Sequence, residues 1–495
     1  MIDKINLRVQ YPGGPSITID TGIIQKLNCP VLLDHSEIPN AERLIPLTRG
    51  ADITDKLPAS GLKWRFTPGY YRRSADALNT ALNKVAVYAP WKAFDPGPDY
   101  PIDVRFAAMP GLTKKDIRDH FPKGMLPPDM DINRGLSDGE IELVDTSGTT
   151  EEKITNIWNQ KWWDASERSS WRFNSGFDRI VYGEHREALL VNPRSTGFIS
   201  DDADLPMDKR RLSRFLYLNE KTDPATWTKD LMTRMVNELA IFQPDILEVN
   251  PSLLARLCRF ISANNLTVFQ PSVIVLTYEY TTRIEYRQIR KAFLSPMISS
   301  YGTTETGYVF TECEAGRLHQ NSDFCRVDFQ PFKREYGGPR TGRILVTPFD
   351  NPWCYFIRFD AGDIVTLEEG GSCPCGRDSG IILSSINGRK ANLTLTTDGR
   401  PVTLAEVDEA TAGPAGVEQY KLIQKDSFNY ELHLVSRIRE KGQLVLDAQK
   451  ALKGLYGMDA VVDVCFDDDF PPEISGKSLI SRALFPIDLD SYLEE

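Results

Sequence analysis

The sequence predicts an α/β fold, and two patterns carry that expectation. Short apolar runs such as Val273-Ile274-Val275-Leu276 and Arg343-Ile344-Leu345-Val346 have the length and composition of buried strands, whereas 227–242 and 252–263 space their apolar residues at helical intervals. Strands alternating with helices, in a chain without internal repeats, argue for a layered α/β core. The 495 residues correspond to two to four domains at roughly 100–200 residues each. With 41% hydrophobic and 26% charged residues, 34 Gly and 32 Pro, the composition excludes wholesale disorder and collagen-like repeats.

In chain order, residues 1–60, ending near Pro58-Ala59-Ser60-Gly61, read as an appended N-terminal segment. The stretch 88–148 carries Pro90, Pro96, Pro98, Pro101, Pro110, Pro122, Pro127 and Pro128 and predicts irregular structure feeding a functional loop. A helix over 283–293 and a short strand over 297–299 follow downstream. At Asn387-Gly388-Arg389-Lys390 the chain turns polar, and strand–helix alternation then resumes to the end. This places a boundary between a large domain, 61–387, and a small α+β domain, 388–495.

Charge narrows the function. The 58 Lys+Arg against 69 Asp+Glu leave a net charge of −11, so no global positive field exists to hold nucleic acid or an anionic membrane. No run reaches the roughly 18 apolar residues of a membrane span, and Met1-Ile2-Asp3-Lys4 does not open a signal peptide. A cytoplasmic protein is expected. Among the 8 cysteines, Cys29, Cys258, Cys354 and Cys465 are isolated and read as buried small hydrophobes.

Four loops carry groups suited to nucleotide chemistry. Asp145-Thr146-Ser147-Gly148-Thr149-Thr150 follows the apolar alternation Ile141-Glu142-Leu143-Val144 and offers hydroxyl and backbone donors to a polyphosphate. Ser300-Tyr301-Gly302-Thr303-Thr304-Glu305-Thr306-Gly307 combines a ring that stacks on a base, a hydroxyl for phosphate and a carboxylate for Mg²⁺. In Ile357-Arg358-Phe359-Asp360-Ala361-Gly362-Asp363 the last carboxylate suits ribose hydroxyls. Pro471-Pro472-Glu473-Ile474-Ser475-Gly476-Lys477 presents a lysine on a Gly-containing loop, where it can meet charge developing on an α-phosphate. Taken alone, each is equally an ordinary turn, a capping acid or a surface lysine.

Taken together and in this order, the loops resemble the acyl-adenylate-forming superfamily, and within it the phenylacetate–CoA ligase branch. The likeness extends to Leu78-Asn79, Val85-Ala86-Val87-Tyr88-Ala89-Pro90, Met109-Pro110-Gly111-Leu112-Thr113-Lys114-Lys115-Asp116-Ile117-Arg118 and Gly371-Ser372-Cys373-Pro374-Cys375-Gly376-Arg377, about four-fifths of the chain. The resemblance implies a large multi-sheet adenylation domain with a small mobile C-terminal domain. It also implies two half-reactions: a carboxylate, aromatic or hydrophobic in this branch, attacks the α-phosphate of ATP and releases pyrophosphate, and the thiol of CoA then displaces AMP. By motif, Thr146, Ser147, Gly148, Thr149 and Thr150 would hold the β- and γ-phosphates. Tyr301, with Gly302 and Thr303, would flank the adenine, as would Tyr278 and Glu279 upstream. Thr304 would contact the α-phosphate, Glu305 would hold Mg²⁺, Asp363 would bind ribose, Arg389 would sit at the hinge, and Lys477 would serve adenylation. Homodimers are common among such enzymes.

Two departures open alternatives. The phosphate loop continues as Glu151-Glu152-Lys153 instead of Gly-basic-Pro, placing two carboxylates where they repel a triphosphate. After Gly388-Arg389 come Lys390-Ala391-Asn392, without the hinge acids of the family. The acceptor alternatives are therefore a carrier-protein thiol or an amine, and the alternative from another class is a degenerate ligand-binding homologue.

Cys313, His319, Cys373 and Cys375 make a tetrahedral thiolate and imidazole set for a structural Zn²⁺, with Cys325 as a substitute ligand and reduced, metal-free cysteines as the alternative. Similar sets occur in the branch the chain resembles. The remaining histidines, His35, His120, His185 and His433, show no ligand spacing and read as structural or surface.

Overall fold

The computed structural model describes residues 6–9, 17–20, 64–145, 154–470 and 480–494. The expected phosphate loop, Thr146 to Thr150 with Glu151 to Lys153, and Lys477 lie outside the described residues, as does nearly all of the segment 1–60.

A twelve-stranded sheet organises the large part of the chain. From one edge its strands run Cys325–Pro331, Thr341–Pro348, Asp363–Leu367, Ile382–Arg389, Leu318–Gln320, Gly307–Glu312, Met297–Thr303, Val273–Leu276, Ile246–Val249, Glu187–Leu190, Phe215–Tyr217 and Arg211–Leu212. The run from Met297–Thr303 to Phe215–Tyr217 is parallel, and the strands from Gly307–Glu312 outward are antiparallel. Parallel strands are covered on both faces and read as unbroken apolar runs. Val273–Leu276 is buried at every position for that reason.

Helices Lys229–Phe242 and Pro251–Ala263 cover these strands, packing Leu231, Met235, Leu239, Leu254 and Leu257 against Ala188, Leu190, Leu247 and Val249. Each such side chain contributes about 1.5–3 kcal/mol by leaving water. Helix Arg283–Ala292 is fixed at its start by a capping box of Thr282 and Glu285. The expectation of irregular structure over 88–148 is corrected: the prolines cut this stretch into short helical pieces, Ala86–Ala93, Ile102–Ala108, Lys114–His120, Lys123–Met125 and Ile132–Ser137.

Past Arg389, a second sheet forms from Val461–Asp467, Asn429–Val435, Gln419–Gln424 and Ser481–Ala483, covered by helices Leu404–Ala412 and Gly442–Tyr456. Its core of Val407, Leu422, Leu432, Leu434, Leu452 and Tyr456 also takes in Ile284 from helix Arg283–Ala292. Polar contacts reinforce this junction: Arg283 N–H donates to Asp408 Oδ2 at 2.9 Å, Arg287 to the Ala412 carbonyl at 2.8 Å and Gln288 to the Glu418 carbonyl at 2.8 Å. Among the described residues no helix is long and apolar enough to cross a membrane.

Candidate active site

Strand Met297–Thr303 is where the sheet changes character. Its first half pairs in parallel with Val273–Leu276 and its second half antiparallel with Gly307–Glu312, with a register shift between Tyr301 and Gly302. Ligand crevices in α/β sheets form beyond the carboxyl ends of the parallel strands, and the change in pairing falls at that end of Met297–Thr303. The Tyr301 loop lies there. Gly302 is required by close approach, since a Cβ on it would meet the Gly307 carbonyl oxygen at 2.3 Å. Beyond it, Thr306 N–H closes a turn on the Thr303 carbonyl at 3.1 Å, and the two hydroxyls of Thr303 and Thr306 bond at 2.9 Å. Glu305, buried in that turn, takes a thiol contact from Cys354 on its carbonyl.

Three loops separated in sequence converge here. Asp363 opens its strand directly opposite Arg389 in the adjacent one. Tyr301 Oη donates to Asp363 Oδ2 at 2.8 Å and Arg389 Nε to Asp363 Oδ1 at 3.3 Å. Burial and then the Asp363 charge hold the Tyr301 phenol well above its usual range, so the ring remains a neutral donor. The Asp363 carboxylate keeps the Arg389 guanidinium firmly charged, and Glu305 adds to that field. Tyr301, Glu305, Asp363 and Arg389 therefore form one site, with Thr304 on the same turn between Thr303 and Glu305.

Tyr278 and Glu279 are directed to the neighbouring elements. Tyr278, held at φ +73°, donates its hydroxyl to Glu248, and Glu279 accepts from Ser252 N–H at 3.1 Å at the start of helix Pro251–Ala263.

The cysteine set closes as a group. The donor atoms of Cys313, His319, Cys373 and Cys375 all lie within 4.8 Å of one another, with Cys313 Sγ 3.6 Å from Cys373 Sγ and Cys375 Sγ 3.3 Å from His319 Nε2. Three thiols and an imidazole at this spacing fit a tetrahedral Zn²⁺. Cys325 is excluded as a substitute because its thiol turns to the Asn321 carbonyl at 3.6 Å in the core.

A third cluster had no signal in the sequence. Helix Gln160–Trp171 buries a polar face, with Ser166 accepting the Tyr308 N–H at 3.1 Å, and brings Glu167 to Glu187 and Glu248 of the parallel strands. One carboxylate oxygen from each of these three lies within 4.8 Å of the others. His185, read from the sequence as structural or surface, is buried against Glu187, with Nε2 at 3.1 Å from its carboxylate.

No family model matches the chain. The solved structure of 2-hydroxyisobutyryl-CoA ligase in the postadenylation state with R3-HIB-AMP is similar at a TM-score of 0.62 and 14% identity, over 86% of this chain and 90% of that one. Its complex with 2-HIB-AMP gives 0.61 and 14%, over 81% and 86%. The chain has the fold of the adenylate-forming acyl-CoA ligases. Protein CapK of Staphylococcus aureus is 25% identical over 246 residues, 49% of this chain and 53% of its own, so the match spans about half the length of that curated relative. Within the ligase fold, the Tyr301 turn sits at the strand switch and the four-stranded unit past Arg389 packs on helix Arg283–Ala292.

Proposed function

We propose that the protein is an ATP-dependent, AMP-forming acid–thiol ligase of the phenylacetate–CoA ligase type. It joins a carboxylic acid to AMP with loss of pyrophosphate and then transfers the acyl group to CoA. The observation that carries this reading is the convergence of Tyr301, Glu305, Asp363 and Arg389 at the switch point of the sheet.

Each group has a role its chemistry suits. Tyr301 offers its ring to adenine, and Asp363, oriented from two sides, accepts the ribose hydroxyls. Thr304 donates to the α-phosphate, and Thr146, Ser147, Gly148, Thr149 and Thr150 cradle the β- and γ-phosphates. Glu305 is the carboxylate that would hold Mg²⁺, which neutralises phosphate charge when bound. Lys477 brings a positive charge to the α-phosphate as the acid attacks. Cys313, His319, Cys373 and Cys375 would hold a structural Zn²⁺ that ties the Cys373 loop to the sheet. Domain 388–495 is the mobile unit that swings about Arg389 between half-reactions.

The branch resemblance makes an aromatic or hydrophobic acid the first substrate reading; the side chains near Tyr308 point to a further requirement, argued below. Lys477→Ala tests the assignment. It lowers acid-dependent adenylation about 10²–10³-fold while ATP binding, followed by calorimetry, stays within a few-fold of the parent. Equal adenylation by parent and variant would remove the lysine from the mechanism.

A further inference from the structure

The buried carboxylates of Glu187 and Glu248 and the half-buried one of Glu167 carry more negative charge than the described residues around them neutralise. Glu187 is met by Arg214 Nη1 at 3.3 Å and His185 Nε2 at 3.1 Å. Glu167 receives only a phenol, Tyr182 Oη at 3.0 Å, and Glu248 likewise receives the Tyr278 hydroxyl. Asp164, one turn before Glu167, is 7% exposed and bonds Gln160 through Oδ1 at 2.8 Å, while its Oδ2 is buried with no hydrogen-bond partner among the described residues. That carboxylate feels the charges of both Arg214 and Glu187. Among the described residues one guanidinium and one imidazole face these four carboxylates.

An uncompensated buried carboxylate is costly, and the cost is removed by a proton or by an incoming cation. Burial pushes Glu248 up to about 8 and Asp164 up to about 7, and raises Glu167 well above the usual range, the response of acids waiting for one or the other. Position decides what that cation belongs to. Tyr308 follows the Glu305 turn directly, donates its N–H to Ser166 at 3.1 Å, the residue before Glu167, and sets its ring 5.1 Å from that of Trp163, in the field of Glu167, Glu248 and Glu187. The cluster is thus joined to the adenylation loop through one side chain.

We propose that Glu167 and Glu248, with Asp164, form the subsite for a protonated amine on the substrate acid, so that the enzyme activates an ammonium-bearing carboxylic acid. An ammonium group has three N–H donors for these carboxylates and is tolerated against the Tyr278, Tyr182 and Tyr308 rings. Glu187 is already engaged by Arg214 and His185, which leaves fewer free carboxylate oxygens for a hard divalent cation. The inference rests on the adenylation reading, since it names the far end of the same acid.

The test uses isosteric pairs on the full chain: 5-aminopentanoate against hexanoate, and 4-(aminomethyl)benzoate against 4-ethylbenzoate. Acid-dependent pyrophosphate release from Mg-ATP is measured for the parent, Glu167→Gln and Glu248→Gln, with binding of each acid followed separately by calorimetry without nucleotide. The ammonium member of at least one pair is preferred about tenfold or more in kcat/KM. Both substitutions erase that preference, read as the ratio of kcat/KM between the two members of each pair. Ammonium binding that is lost in Glu248→Gln upholds the subsite even where no pyrophosphate appears, in which case the ligase reading alone fails. Neutral members turned over as well as or better than their partners, no binding of either ammonium compound, a preference indifferent to both substitutions, or Mn²⁺ binding that both substitutions abolish would each overturn it.

Discussion

Asp363 shows how much one side chain can organise. Its two oxygens are claimed by Tyr301 and Arg389 from different strands, so the carboxylate is held from two sides before any ligand arrives. Asp363→Asn replaces one acceptor by a donor facing a guanidinium or a phenol, and raises the KM for ATP about tenfold or more. Steady-state kinetics at saturating acid check this, and an unchanged KM would dissociate Asp363 from the nucleotide. Glu142 makes a pH prediction of a different kind. Both of its carboxylate oxygens are buried without partners among the described residues, and burial pushes it up to about 7 from an ordinary 4.5. Between about pH 4.5 and 7 the unfolded chain releases this proton while the folded chain keeps it, so stability falls as pH rises through that window. Glu142→Gln removes the fall: melting temperatures of parent and variant are close at pH 5, and the variant melts higher at pH 8. A gap of the same size at both pH values would assign the effect to packing. Tyr301, Glu305 and Asp363 were legible in the sequence because turns with fixed glycines mark them, as Gly302 does. Glu167, Glu187 and Glu248 were not, because a single Glu in a helix or strand looks like a surface residue until register brings three of them together.

At the level of elements, what could be read followed length. Helices Lys229–Phe242, Pro251–Ala263 and Arg283–Ala292 show their period over several turns, and the buried strands show unbroken apolar runs. Ile102–Ala108 and Lys114–His120 span barely two turns each, too short for a period to emerge between prolines, although the Thr113–Asp116 capping box marks one start. The Cys313 turn, strand Leu318–Gln320 and the Cys373 loop form another short assembly, whose donors meet only through sheet pairing. Elemental analysis of the purified protein should give one zinc per chain. Cys373→Ser should lose it and lower Tm by roughly 5–10 °C. Protein that is metal-free as isolated and equally stable with the substitution would mark the set as reduced cysteines.

On the scale of the whole molecule, the switch in one sheet and the attachment of a second unit define where the proposed site lies. The boundary proposed at 388 falls just before the end of strand Ile382–Arg389, so Arg389 belongs to the site and to the crossing at once. The second unit rests on helix Arg283–Ala292 through Ile284, Asp408 and Arg287. The polar stretch Asn387-Gly388-Arg389-Lys390 is what suggested a boundary, whereas the contact across it depends on side chains such as Asp408 that carry no local pattern. The central claim is that this arrangement adenylates an acid and passes it to CoA. It is tested most directly by pyrophosphate release from Mg-ATP over a panel of aryl, arylacetic, aliphatic and amino-substituted acids, with CoA first omitted and then added. The account predicts release that depends on a particular acid and rises further with CoA. Release with no acid on the panel, from folded protein that binds ATP, would contradict it.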